Sequence, residues 1–344
     1  MKKVFGKRFF KAALVVSLIW PITLTKVQAE QKGVVDEWYA HLTMDLMLGA
    51  KLEAAAIYEK RVPWLFYFYP ALSKLTRVPA TGFNPEQIIT MNPKYVVLPI
   101  TFKAQAETLQ HAHIQASVLD FKDMAGLLAC VDESAKLENT SVAFQKAEAY
   151  RAFVTEIVGA EVLEKEKKAL LNENRLRHFS FFSKKDQSDR KRILHISSLN
   201  PLTVDGKETI IDEWISLAGG QNVVEAKGNN HPVTWEQVFA SNPDVIILGS
   251  GSGSWEKGTV PKGAEFLPAI QSGHLYRNPT GIFLWDRYGL ELPLQILWAK
   301  NILAGKNPDN LEMREKMKEF YGRFFDLHPS EEVLGQILKG ETPH

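Results

Sequence analysis

One local pattern is written twice in this chain, and it limits the folds available more than any other feature. Glu86-Gln87-Ile88-Ile89-Thr90-Met91-Asn92-Pro93-Lys94-Tyr95-Val96-Val97-Leu98 is matched by Glu236-Gln237-Val238-Phe239-Ala240-Ser241-Asn242-Pro243-Asp244-Val245-Ile246-Ile247-Leu248. Glu, Gln, Asn, Pro and the closing Leu keep their offsets, and most other positions exchange one apolar residue for another. Each copy predicts a short helix, an Asn-Pro turn and a buried strand. Proline lacks an N–H and pushes the residue before it out of the right-handed α region, which ends the helix. The β-branched run that follows suits a strand covered on both faces, as in a parallel sheet. Two such units predict two similar α/β lobes, each with a glutamate at the start of the same helix.

The first 29 residues are expected to lie outside that fold. Lys2, Lys3, Lys7, Arg8 and Lys11 precede an apolar run from Ala12 to Leu24, and Val27-Gln28-Ala29 offers small residues for a cleavage site. This is the pattern of a secretory signal peptide, and the run is shorter than the roughly 20 residues that span a bilayer. Its removal takes six of the 41 Lys/Arg and none of the 40 Asp/Glu, turning a formal net charge of +1 into −5. A mildly acidic product argues against nucleic acid or an anionic membrane as partner. Cys130 is the one cysteine, in the apolar context Leu127, Leu128, Ala129 and Val131. It reads as core, and no cysteine follows the cleavage site to carry a lipid. The expected address is a periplasm, for an unlipidated monomer.

Along the chain, Leu42 to Leu48 reads as a helix stopped by Gly49, and Ala54 to Tyr58 as a short strand. Trp64-Leu65-Phe66-Tyr67-Phe68-Tyr69 is the densest aromatic stretch. Phe102-Lys103 opens a helix, Ala116 to Phe121 is a strand, and a helix starts near Met124. Ser141 to Leu176 has neither proline nor a strong break, and predicts one long helix or two with a break near Gly159. Arg192 to Ser197 is a strand, and a helix ends at Gly219-Gly220. Residues 249–254 form a glycine–serine loop, and an amphipathic helical tail begins at Leu311. The domain reading is therefore a leader over 1–29, a first lobe over 30–140, an interlobe helix over 141–178 and a second lobe over 190–344.

Catalytic signatures are missing: no phosphate loop, nucleophile elbow, H-E-x-x-H or cysteine zinc pattern occurs. His111 and His113 do not share a helix face, and His178, His195, His274, His328 and His344 have no local partner; these read as structural or exposed. Four stretches fall where strand ends meet helices or loops, the place where open α/β sheets bind ligands. They are Trp38/His41, the aromatic run Trp64–Tyr69 with Trp64 and Phe66, Asn229-Asn230-His231, and Trp285/Arg287/Tyr288. Flat apolar faces, two imidazoles, a phenol and a guanidinium can hold a large metal chelate, with His and Tyr completing an iron(III) shell and Arg offsetting negative oxygens. The alternative is that the aromatics are core and the polar residues ordinary loop.

The sequence resembles the class III periplasmic binding proteins of ABC importers, the group that carries iron–siderophores, haem and cobalamin. The resemblance spans essentially the whole chain after the leader. It is carried by Met47-Leu48-Gly49-Ala50, the two Glu-Gln…Asn-Pro motifs, Asn200-Pro201-Leu202-Thr203-Val204-Asp205-Gly206-Lys207-Glu208, Leu217-Ala218-Gly219-Gly220-Gln221-Asn222-Val223 and Pro279-Thr280-Gly281…Trp285. It implies two Rossmann-like α/β lobes joined by a single long helix, with a ligand cleft between them and no intrinsic cofactor. It implies that Glu86 and Glu236 dock on arginines of the permease. The expected ligand contacts are Trp38, His41, Trp64, Phe66, Phe102, Lys103, Leu202, His231, Trp285, Arg287 and Tyr288; some iron–siderophore members complete the metal shell with His and Tyr, and His231 and Tyr288 lie in roughly the matching loops as the expected metal ligands. The cobalamin-binding member has a tryptophan six residues before each docking glutamate. Here those positions are Ala80 and Asn230, so the reading favours an iron or other metal chelate. Cobalamin, haem and a nickel chelate are the other ligands weighed. An enzyme or chelatase on the same scaffold and a direct binder of bare zinc or manganese are the other classes.

Overall fold

In a computed structural model, residues 33–79, 84–160, 163–164, 190–255 and 260–343 are described; the predicted leader and Ala80 lie outside them. The first lobe runs β1 (Val34–Asp36), α1 (Leu42–Leu48), β2 (Leu52–Ala55), α2 (Pro63–Phe68), β3 (Thr76–Arg77), α3 (Pro85–Met91), β4 (Val96–Pro99), α4 (Lys103–His111), β5 (Ala116–Leu119) and α5 (Met124–Glu138). Its five strands are all parallel, in the order β3-β2-β1-β4-β5. Helix α6 (Ser141–Val158) follows. The second lobe runs β6 (Arg192–Leu199), β7 (Leu202–Val204), α7 (Ile210–Leu217), β8 (Gln221–Asn222), β9 (His231–Pro232), α8 (Trp235–Ser241), β10 (Val245–Leu248), α9 (Pro268–Gln271), β11 (Leu275–Arg277), α10 (Leu292–Leu303), α11 (Leu311–Phe325) and α12 (Glu331–Leu338). Its sheet has the order β11-β10-β6-β7-β9, with β7 antiparallel to both neighbours and β8 pairing β6. Both sheets belong to one compact unit, Lys32–His344.

The duplicated motif folds as the pattern requires. Helices α3 and α8 end on Asn92 (φ 49°) and Asn242 (φ 40°), both left-handed. Asparagine tolerates that region better than most residues, so each turn leaves the helix just before its proline. The strands that follow are buried from Val96 to Leu98 and from Val245 to Leu248. Gly49 stops α1 at φ 80°, as predicted. The second strand is shifted from the sequence expectation, covering Leu52–Ala55 rather than reaching Tyr58.

Helix α6 starts on a Thr140 cap and stops at Gly159 (φ 100°), so the break weighed there is real; most of the remaining predicted helix, 161–162 and 165–178, lies outside the described residues. Its buried stripe includes Tyr150, Phe153, Val154 and Ile157. On one side it packs against α1 and α5. On the other, Tyr150 donates to the Leu290 carbonyl at 2.9 Å, Phe153 lies 5.7 and 5.6 Å from the rings of Phe320 and Phe324, and Lys300 donates to the Ile157 carbonyl. One helix thus contacts both lobes. No helix among the described residues is long and apolar enough to cross a membrane.

Candidate functional site

In the first sheet the chain moves outward from β1 in both directions, to β2 on one side and β4 on the other. Open α/β sheets bind ligands beyond the carboxyl ends of strands at such a switch point. The residues just past these ends are Glu37, Trp38 and Tyr39 after β1, Phe102 and Lys103 after β4, and Phe121 after β5. Two of them, Tyr39 and Phe121, meet the second lobe ring to ring. Tyr39 lies 5.5 Å from Phe283, and Phe121 stands edge-on to Tyr288 at 5.8 Å and 72°. Trp38 packs against Phe121 at 5.6 Å. The seam between the lobes is therefore aromatic, and it is the candidate site.

On the second-lobe side the seam rests on a buried charge cluster. His195 of β6 holds Asp205 Oδ2 at 2.8 Å through Nδ1 and Asp286 Oδ2 at 3.1 Å through Nε2. Arg287 donates to Asp205 Oδ2 at 3.0 Å, and Asn230 N–H to Asp205 Oδ1. Ser250 donates to both oxygens of Asp286, which places the start of the glycine–serine loop. Burial pushes the two carboxyls up, but the bonds and charge of His195 and the charge of Arg287 outweigh it and hold both below the usual carboxylate range. Burial likewise lowers His195, and the two acids raise it above its ordinary value.

Of the predicted metal pair, Tyr288 lies in the seam and its hydroxyl accepts from Asn229 Nδ2 at 3.4 Å. His231, two residues beyond Asn229, sits on the edge strand β9 opposite Val204 and donates from Nε2 to the Lys227 carbonyl at 2.7 Å. Arg287 is next to Tyr288 as expected, yet Asp205 already balances its charge. Phe102 is half-buried against the core under α4, Lys103 is exposed at the first position of α4, and Leu202 is partly buried opposite Leu199.

Four expected ligand contacts belong to the interior instead. Trp64 is 1% exposed and donates to the Glu341 carbonyl at 2.8 Å, and Phe66 is buried beside it in α2. Trp285 is fully buried and donates to Glu291 Oε1 at 2.9 Å. Glu291 also accepts from the Ile282 and Phe283 N–H groups and from the Tyr321 hydroxyl, so this acid organises the loop that carries Phe283 and Tyr288 to the seam. His41 is also fully buried. Its Nδ1 lies 3.0 Å from Asp36 Oδ2, and its Nε2 lies 2.7 Å from Ser134 Oγ. The Asp–His–Ser connectivity is that of a hydrolytic relay. Here Ser134 is 0% exposed and its hydroxyl donates to the Cys130 carbonyl at 2.8 Å, so its proton is turned away from the imidazole. Burial pushes Asp36 up to about 7 against the pull of His41. Burial lowers His41, and Asp45 and Asp36 together raise it well above its ordinary value.

Sequence reasoning passed over Glu37. Both of its carboxylate oxygens are buried with no hydrogen-bond partner, at the carboxyl end of the central strand. Burial, then the charge of Asp36, pushes it up to about 7. Strand alternation sets it on the side of the sheet opposite Asp36, above Val35. The signal was in the sequence: an apolar run, Val34-Val35, that ends abruptly in two acids.

Glu86 and Glu236 occupy the same place, the second residue of α3 and of α8, both exposed. Asn84 caps the first helix, and Thr234 with Gln237 forms a capping box on the second. The backbone N–H of Glu236 and the Thr234 hydroxyl hold the Glu236 carboxyl below its ordinary value.

No protein-family model matches the chain, and no curated protein matches it. Solved structures do, and they define the class of fold: the two-lobed α/β fold of periplasmic solute-binding proteins of ABC transporters. A periplasmic solute-binding protein from Veillonella parvula aligns with a TM-score of 0.71 at 17% identity, over 90% of this chain and 92% of that one. An ABC transporter solute-binding protein from Sulfurospirillum deleyianum aligns at 0.66 and 18%, over 90% and 95%. The molybdate periplasmic binding protein of Haemophilus influenzae aligns at 0.64 and 13%, over 87% and 94%.

Proposed function

We propose that the chain is the solute-binding component of an ABC importer. It works outside the inner membrane without turnover, captures a metal chelate between its lobes and delivers it to a permease and its ATPase. The observation that carries this reading is the aromatic seam where the segments just past the carboxyl ends of the first sheet meet the second lobe. Partly exposed rings on both sides (Trp38 and Tyr39 on one, Tyr288 on the other), backed by the buried Phe121 and Phe283, suit a bulky, flat-faced solute. The duplicated helices with exposed Glu86 and Glu236 give one docking acid per lobe, each supported by its helix dipole.

An iron(III)–siderophore is the favoured cargo, with Tyr288 and His231 completing the metal shell. Related folds bind varied solutes: molybdate in the Haemophilus influenzae protein, vitamin B12 in one from Vibrio cholerae, and haem in another. Cobalamin, haem and a nickel chelate are the alternatives, the first two bound by proteins of this fold. Trp38, Phe102, Lys103, Leu202 and Arg287 remain in the contact set; Glu37 joins it as an unpartnered acceptor. The test is titration with a ferric catecholate chelate that leaves two coordination positions open. The wild type should give a charge-transfer band that shifts in Tyr288→Phe and in His231→Ala, with affinity falling about tenfold or more, the equivalent of ~1.4 kcal/mol. Identical spectra and affinities in both variants would remove these residues from the site.

A further inference from the structure

The first lobe contains a second, wholly internal set of ligating atoms. His41 Nδ1 lies 3.0 Å from Asp36 Oδ2 and 3.6 Å from Asp45 Oδ2, and one donor atom from each of the three residues falls within 4.8 Å of the others. All three side chains are 0% exposed. Asp45 Oδ1 accepts from the Tyr95 hydroxyl at 3.2 Å, but Asp45 Oδ2, turned toward His41, has no hydrogen-bond partner. A buried carboxylate oxygen is rarely left so.

The far side of the imidazole fixes its orientation. The Ser134 hydroxyl spends its hydrogen on the Cys130 carbonyl, so toward His41 it accepts, and His41 Nε2 carries the N–H. Nδ1 is left facing two carboxylates. Metal-ligating histidines are held in this manner, with the remote N–H donated to a fixed acceptor. An ion that displaces the Nδ1 proton to solvent meets two carboxylates and a neutral imidazole, a charge of −2, which a divalent ion cancels. The donor set of one nitrogen and two oxygens suits Zn2+, whose bonds to such ligands are about 2.0–2.2 Å long and place neighbouring donors roughly 3–4 Å apart.

We propose that Asp36, His41 and Asp45 form a structural site for a divalent transition-metal ion of the zinc type, acquired as the first lobe folds and separate from the transported solute. Its role follows from position. His41 stacks on Trp38 at 6.1 Å, so an ion here pins the 36–41 segment that carries Trp38 and Tyr39 to the seam.

The test uses the full chain, unfolded with a chelator and refolded with or without Zn2+ or Co2+. One ion per chain should be retained in native mass spectrometry, the Co2+ form should show visible ligand-field bands, and the melting temperature should rise with metal. Asp45→Asn, nearly isosteric, should lose the ion. Ser134→Ala should weaken metal affinity about 10- to 100-fold, and it reads the site even if Asp45→Asn fails to fold. Tyr288→Phe and His231→Ala should bind the ion as the wild type does. A wild type that refolds to the same melting temperature with no retained ion would overturn the proposal; so would an Asp45→Asn or Ser134→Ala variant that binds as tightly as the wild type.

Discussion

Each lobe buries a histidine between two aspartates, and the two clusters are completed differently. In the second lobe Arg287 supplies another positive charge, and all four oxygens of Asp205 and Asp286 find donors. With both residues ionised and His195 protonated, that cluster is neutral. In the first lobe Asp36, His41 and Asp45 have no such arginine, and Asp45 Oδ2 has no donor. The consequence appears in the acids: those of the second lobe are held down, while Asp36 is pushed up to about 7. A buried histidine–aspartate pair alone does not set the outcome. The next charge does, because desolvated ions are tolerated only when fully paired.

The sharpest way to break this contrast is to remove the extra charge. Arg287→Met should leave two buried carboxylates against one imidazolium and cost about 3–5 kcal/mol of stability in urea unfolding, in the range for breaking a buried pair. Adding Asp205→Asn should restore much of the loss, since the charges again balance. If Arg287→Met costs under about 1 kcal/mol, the two clusters do not differ in the way described.

A smaller effect comes from pH. Asp205 and Asp286 sit below their ordinary values, so the stability they supply is present above about pH 4, where an unfolded aspartate is ionised, and is lost as pH falls through the folded values. His195 sits above its ordinary value, so its contribution is complete below about pH 6.5 and is lost as pH rises through the folded value. The second-lobe cluster should therefore stabilise most between these limits. Acidification from pH 5 to pH 2 should destabilise the wild type through Asp205 and Asp286, both held below their ordinary values, and Asp205→Asn should flatten that acid limb. Equal acid limbs in the two proteins would contradict the assignment.

Much of the fold was legible because its signals are local. The repeats, the asparagine and glycine helix ends and the β-branched strands each depend on residues a few places apart. The site was less legible because its partners are distant in sequence. Trp64 is fixed by the Glu341 carbonyl, His41 by Ser134, and Asp286 by His195, and no local pattern announces such pairs. Trp285 was read as a ligand face from its position near a loop. What settles it inside is Glu291, an acid whose four donors come from Ile282, Phe283, Trp285 and Tyr321. Phe121 and Tyr288 could be placed near strand ends, but only the meeting of two lobes shows that their rings touch. Glu37 was legible in principle, as a charge closing an apolar strand.

The most direct test of the import reading acts on the duplicated helices. In cells supplied with radioactive iron as the chelate, Glu86→Ala with Glu236→Ala should lower uptake to the level of a strain lacking the protein, while the purified double variant keeps wild-type chelate affinity. Uptake at the wild-type rate by the double variant would contradict it.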